Sequence, residues 1–233
     1  MLKNIRLNPP FFEIGPKAFM YGEEMLKLAK VIDETAMKYD VDVLVTPQYT
    51  DLKLLADNTE RIWVFAQHMD YLRPGRGLGS MLPEAVKATG AKGVMLNHAE
   101  KPISREDIEK TIRRAEEVEL LTIVCADTVE DVKEIAKMAP DMIVAEPTDL
   151  IGTGTTSDSN YVIETIKTVN DINPDIMVLQ GAGISNGRDV YNTIKLGAQA
   201  TGTTSGIMKS DRPYEMVEEM LYNLRKAWDE VHK

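Results

Sequence analysis

Three side chains suited to proton chemistry stand just beyond short apolar runs. Lys17 follows Phe11-Phe12-Glu13-Ile14-Gly15-Pro16, His98 follows Gly93-Val94-Met95-Leu96-Asn97, and Glu146 follows Met142-Ile143-Val144-Ala145. A glutamate can remove a proton from a carbon beside a carbonyl, a neutral histidine can donate a hydrogen bond to the oxyanion that develops, and a lysine adds a fixed positive charge. With a phosphate anchored nearby, this set supports the exchange of an aldose phosphate for a ketose phosphate. Pro147 fixes one torsion beside the acid, and Thr148-Asp149-Leu150-Ile151-Gly152-Thr153-Gly154 reads as a loop able to close over a ligand. Two later turns, around Gly183 and at Thr204-Ser205-Gly206, supply backbone amides for an anion. Each feature has an ordinary alternative: Lys17 as a solvated charge, His98 as a structural histidine, Glu146 as a strand-capping acid, the glycines as tight turns.

The elements that must position these groups alternate regularly. Strands are expected at 11–14, 41–46, 62–66, 93–96, 121–125, 142–145, 176–179 and 200–203, each a short apolar or β-branched run. Between them lie helical spacings. Met25, Leu28, Ala29, Ile32 and Ala36 mark a helix over 21–39, a shorter one follows at 51–57, and Ser80 is expected to cap a helix over 81–89 with Pro83 in its first turn. Ser104 with Asp107 resembles a capping box for a helix reaching about Val118, Thr128 caps the next, and Asp158 opens the one after it. A helix with Val190, Ile194 and Leu196 is stopped by Gly197, and a last helix runs over 213–231. Eight strand-then-helix units without a linker predict a (β/α)8 TIM barrel in a single domain spanning 1–233; a doubly wound open sheet is the runner-up. In such a barrel the C-terminal strand ends share one face, so lysine, histidine and glutamate converge.

Composition narrows the partners. Apolar residues make up 43% and charged residues 27%, enough for a sizeable core and too ordered a mix for a disordered chain. The net charge of -10 repels nucleic-acid backbones and anionic membranes, so any anionic substrate must be captured locally. The single cysteine, Cys125, forms no internal disulfide and makes no zinc-ligand spacing with His68, His98 and His232. Residues 1–10 lack a signal-peptide core, and no run approaches the ~18 apolar residues of a membrane span. A cytoplasmic protein without metal or organic cofactor is expected, since proton transfer between adjacent carbons needs only a base and an electrophile.

Several stretches in the right order carry a family resemblance: Ala66-Gln67-His68, Leu82-Pro83-Glu84-Ala85-Val86-Lys87, Leu96-Asn97-His98-Ala99-Glu100, Glu146-Pro147-Thr148-Asp149-Leu150-Ile151-Gly152-Thr153-Gly154 and Gly181-Ala182-Gly183-Ile184-Ser185. The chain resembles the triosephosphate isomerase family, in its short archaeal form, from Lys17 to the last helix. The resemblance implies a glycolytic and gluconeogenic isomerase of glyceraldehyde 3-phosphate and dihydroxyacetone phosphate. It makes Lys17 the electrostatic lysine, His98 the electrophile and Glu146 the base. It further implies that amides of Ile151, Gly152, Gly183 and Thr204-Ser205 hold the phosphate, and that the chain forms a homodimer or homotetramer, for which the loop around Gly75-Arg76-Gly77 is a plausible contact. Three departures stand out. The family's Asn-x-Lys is Gly15-Pro16-Lys17 here, its His-Ser-Glu is His98-Ala99-Glu100, and the turn at Thr204 is polar where small apolar residues are usual. A tetrose-phosphate isomerase is therefore the close alternative, and a sugar-phosphate-binding regulator without turnover the more distant one.

Overall fold

Every strand is buried along nearly its whole length, because each is covered by helices on one side and faces the barrel axis on the other. The structure, a computed structural model, describes residues 7–232; residues 1–6, part of the stretch expected to lack a signal core, lie outside the described residues, as does Lys233. The order is β1 (Phe11–Ile14), α1 (Gly22–Tyr39), β2 (Asp42–Val45), α2 (Leu52–Asn58), β3 (Trp63–Ala66), α3 (Pro83–Ala88), β4 (Gly93–Leu96), α4 (Arg105–Glu117), β5 (Leu121–Ala126), α5 (Val129–Ala136), β6 (Met142–Ala145), α6 (Ser159–Ile172), β7 (Met177–Gln180), α7 (Gly187–Lys195), β8 (Ala200–Thr203), α8 (Ser205–Met208) and α9 (Pro213–Val231). All neighbouring strands pair in parallel, and β1 pairs with both β2 and β8, Phe11 lying opposite Asp42 on one side and Ala200 on the other. That second pairing closes the barrel and excludes the open sheet. Among the described residues no helix is long and apolar enough to cross a membrane.

Period-two alternation divides the strand residues between two cores. Phe11, Leu44, Phe65, Met95, Ile123, Cys125, Val144 and Leu179 fill the barrel interior. Phe12, Ile14, Val43, Val45, Val64, Leu96, Val124, Ile143 and Val178 face the helices. The same alternation directs Glu13, two residues after Phe11, and Glu146, two after Val144, towards the axis at the end of their strands.

Capping residues act mostly where the sequence places them. Ser104 accepts from the Asp107 amide, Thr128 and Asp131 form a reciprocal capping box, and Asp158 accepts from the amides of Asn160 and Tyr161. Ser80 does not cap α3. Its amide bonds to Gly77 O, and the next amide, of Met81, is taken by the Asp70 carboxylate at 2.6 Å, so residues 80–82 belong to the loop. The helix begins at Pro83, whose preset torsion suits a first helical position, behind an extended Leu82. The one-turn α8 was not legible either, since a single turn carries no periodicity.

At the face opposite the strand C-termini, buried Asp33 on α1 accepts from three consecutive amides, those of Glu60, Arg61 and Ile62, at 2.7–3.2 Å, fixing the entry to β3. Replacing Asp33 by alanine leaves these amides short of an acceptor. We expect a loss of about 3 kcal/mol in denaturant unfolding with little change in any activity of the opposite face.

Candidate active site

The C-terminal strand ends surround a cavity of about 670 Å³ lined by Lys17, His98, Glu146, Ile151, Gly152, Gly183, Thr204 and Ser205, the full set that the sequence singles out. Glu146 is half-buried and enters from the end of β6, its own amide bonded to Ala126 O at 2.9 Å. Its Oε1 accepts from the Ala182 amide at 3.2 Å. Burial pushes its carboxyl above the usual range, while the Lys17 charge and the Ala182 amide pull it back down. Ala99 offers no hydroxyl to Glu146, and the amide of the neighbouring turn bonds the carboxylate.

His98 is half-buried, and burial, reinforced by the Lys17 charge, lowers its basicity below that of a free imidazole, with Glu100 opposing. The ring is therefore neutral at pH 7. Its Nδ1 accepts from the Glu100 amide at 3.0 Å, which leaves the proton of the neutral ring on Nε2. A neutral donor rather than an imidazolium is thus available to the cavity.

Lys17 adopts a left-handed backbone (φ 49°), an uncommon conformation for a lysine. Two amides fix it there: Gln48 Nε2 and Gln67 Nε2 donate to Lys17 O at 2.6 and 3.1 Å, and Gln67 also donates to Thr46 O at 3.0 Å. The ammonium pairs with Glu100 Oε1 at 2.6 Å, and the lysine holds that carboxyl below the usual range. The Gly15-Pro16-Lys17 turn, anchored in this way by β2 and β3 loop residues, brings the lysine to the cavity.

The loop after β6 makes a 3-10 turn over Thr148–Leu150, with the Thr148 amide tied to Asp127 Oδ1 at 2.8 Å, and then passes against the turn after β7. Gly183 (φ 71°) has no room for a side chain: a Cβ would collide with the backbone of Thr155 and Thr156. These two loops therefore meet backbone to backbone. Beyond β8, the Gly206 amide bonds to Thr203 Oγ1 at 3.2 Å, and Thr204 and Ser205 face the cavity.

Sequence reasoning missed Glu13, Thr46, Gln48 and Gln67, all of which line the cavity. Glu13 carried a readable signal: it is the one charged residue in a strand of four that must be buried on both faces. Its carboxyl accepts from Thr46 Oγ1 at 3.1 Å. Burial, with Glu146 adding to it, pushes its pKa up to about 8 against the pull of Thr46 and Lys17. Among the described residues no group of three or more histidine, cysteine or acidic side chains is arranged to hold a metal ion.

A closed parallel barrel with its polar cavity at the C-terminal mouth defines a TIM-barrel enzyme. Residues 14–220 match the family model of triosephosphate isomerase. The chain is 37% identical to the triosephosphate isomerase of Sulfurisphaera tokodaii over 227 residues, 96% of this chain and 99% of that protein, and 37% identical to that of Methanocaldococcus jannaschii over 203 residues, 86% and 92% of the two. The crystal structure of triosephosphate isomerase from Bartonella henselae superposes with a TM-score of 0.75 at 16% identity, covering 95% of this chain and 99% of that one, which shows the shared fold. The chain belongs to the triosephosphate isomerase family.

The raised carboxyl of Glu13 has a consequence for stability. The folded state keeps a proton there that the unfolded chain releases near pH 4.5, so this stabilisation is complete below that pH and is lost as pH rises towards about 8. Melting temperature is expected to fall across this window, and Glu13→Gln to flatten the fall; an identical slope in the variant would remove Glu13 as its source.

Proposed function

We propose that this chain interconverts glyceraldehyde 3-phosphate and dihydroxyacetone phosphate by proton transfer through an enediolate. The observation that carries the reading is a single cavity presenting a carboxylate, a neutral histidine and a lysine together with three glycine- or hydroxyl-bearing loops. Glu146 removes the proton from the carbon next to the substrate carbonyl, and the electron pair moves onto the carbonyl oxygen. His98 Nε2–H donates to that oxygen, and Lys17 stabilises the negative charge. As the protonated Glu146 returns its proton to the adjacent carbon, the hydroxyl proton on the oxygen of the first carbon passes to the former carbonyl oxygen, relayed by His98 Nε2, so that atoms and charge balance and the enzyme is regenerated. Burial raises the basicity of Glu146 without removing its charge partner, which suits a base working near neutrality.

The phosphate is held by amides of Ile151 and Gly152 on the closing loop, Gly183, and Thr204-Ser205, the position after strands seven and eight where this fold binds phosphate. No metal or organic cofactor enters these steps. The tetrose-phosphate alternative rests on the altered floor, where Gly15 and the polar Thr204 stand together.

The reading extends to assembly and location. The chain forms a homodimer or homotetramer, supported by the loop over 73–80, where Leu78 is fully exposed beside exposed glycine and arginine residues. A cytoplasmic setting fits one unpaired, buried cysteine.

Two measurements test these assignments. Glu146→Asp withdraws the carboxylate by about one methylene and is expected to reduce kcat roughly 100-fold in a coupled assay, while leaving binding of a phosphate-bearing analogue nearly intact. Turnover of a four-carbon sugar phosphate but not of trioses would favour the alternative, and binding without any turnover would favour a regulator. By light scattering, Leu78→Glu should shift the protein towards monomer; an unchanged mass would discard this loop as the contact.

A further inference from the structure

Glu13 takes no part in the proton transfer just described, yet it lies in the same cavity as the groups that do. It occupies an inward position of β1, opposite Leu44 of β2 and Gly202 of β8. A Cβ added to Gly15, the next inward position, would lie 2.8 Å from Glu13 Oε1, 3.3 Å from Thr204 Oγ1 and 3.4 Å from Thr46 Oγ1. The carboxyl and two hydroxyls therefore ring the space that a side chain at position 15 would take. On the other flank, a Cβ on Gly202 would lie 2.8 Å from Glu13 Oε2 and 2.8 Å from Glu13 Cβ. A Cβ on Gly202 would also lie 2.8 Å from Glu13 O, so that glycine serves the close approach of the β8 and β1 backbones as well; Gly15 has no positive φ, so the course of its backbone does not call for a glycine. The space at Gly15 is the one the glutamate carboxyl takes.

A carboxyl in a barrel interior is costly to bury, and a strand position filled by an apolar residue would pack without that cost. Here the neighbouring position 15 is emptied to admit it, and the polar ring opens to the cavity rather than being sealed beneath an apolar layer. Resting on the isomerase reading, we propose that Glu13 is a substrate-binding residue, donating a hydrogen bond from its carboxyl to an oxygen on the reacting carbons of the sugar phosphate, with Thr46 and Thr204 completing a polar floor.

Protonation suits that role. The charged groups that act on Glu13 are Lys17, at the end of its own strand, and Glu146 from β6; the Cys125 thiol of β5, itself pushed up by burial, shares the interior. With its pKa at about 8, Glu13 offers an O–H near neutrality. Above that pH it becomes an anion beside Glu146 and an anionic substrate, so binding and rate should both fall.

Steady-state kinetics with glyceraldehyde 3-phosphate, from about pH 6 to about 9.5, on the wild type, E13Q, E13A and E13A/G15N separate the possibilities. E13A is expected to lower kcat/KM about tenfold or more. E13Q retains a donor, so it should lose less and lack the alkaline decline seen in the wild type. Asparagine at position 15 returns an amide to the vacated space and should restore part of what E13A loses. Wild-type kcat/KM and pH profile in both single variants would overturn the proposal. So would equal losses in E13A and E13Q that merely track the folded fraction measured by circular dichroism. A wild type inactive on every short sugar phosphate would instead remove the isomerase reading itself, and this role with it.

Discussion

Closure of eight parallel strands on themselves is the constraint from which the site follows. Once β1 pairs with β8 as well as β2, no strand has a free edge and every strand has one face towards the helices and one towards a common axis. The lower interior is packed with Phe11, Leu44, Phe65, Ile123 and their neighbours, so it is a core and not a channel. Where the strands end, the inward positions are no longer filled by large apolar side chains. Glu13, Gly15, Glu146, Gly181 and Gly202 occupy that level, and the cavity exists because of them.

The electrostatics of the mouth follow from the same crowding. Two carboxyls, Glu13 and Glu146, are drawn into one poorly hydrated space, and burial raises both. Lys17 opposes the rise on each, and the same positive charge lowers His98 and Glu100, so one lysine acts on every titratable group around it. Glu100 then steadies the arrangement from the rim: its carboxylate pairs with Lys17, and its amide fixes the tautomer of His98.

The loops add what the strands cannot. Gly183 lets the turn after β7 press against the backbone of Thr155 and Thr156, so the loop after β6 and the turn after β7 form one surface. The Gln48 and Gln67 amides perform the corresponding task for the first loop, holding Lys17 in a left-handed conformation that its own sequence does not favour.

Much of this was legible in the chain. Apolar runs, Ser104, Thr128 and Asp158 as caps, and the regular strand-then-helix spacing identify the barrel, because these are local rules of period and capping. Lys17, His98 and Glu146 are legible as candidates because a barrel makes strand ends converge, and they line one cavity. Ser80 misled, since its neighbourhood is governed by Asp70 across the loop, a contact that no local spacing announces. The sequence by itself determined the alternation, the strand ends and the candidate proton-transfer groups. Only the tertiary structure decided that the β1 carboxyl of Glu13 meets Thr46 of the β2 end and the empty places at Gly15 and Gly202, because those groups, up to 189 positions apart in the numbering, become neighbours only when the first and eighth strands pair.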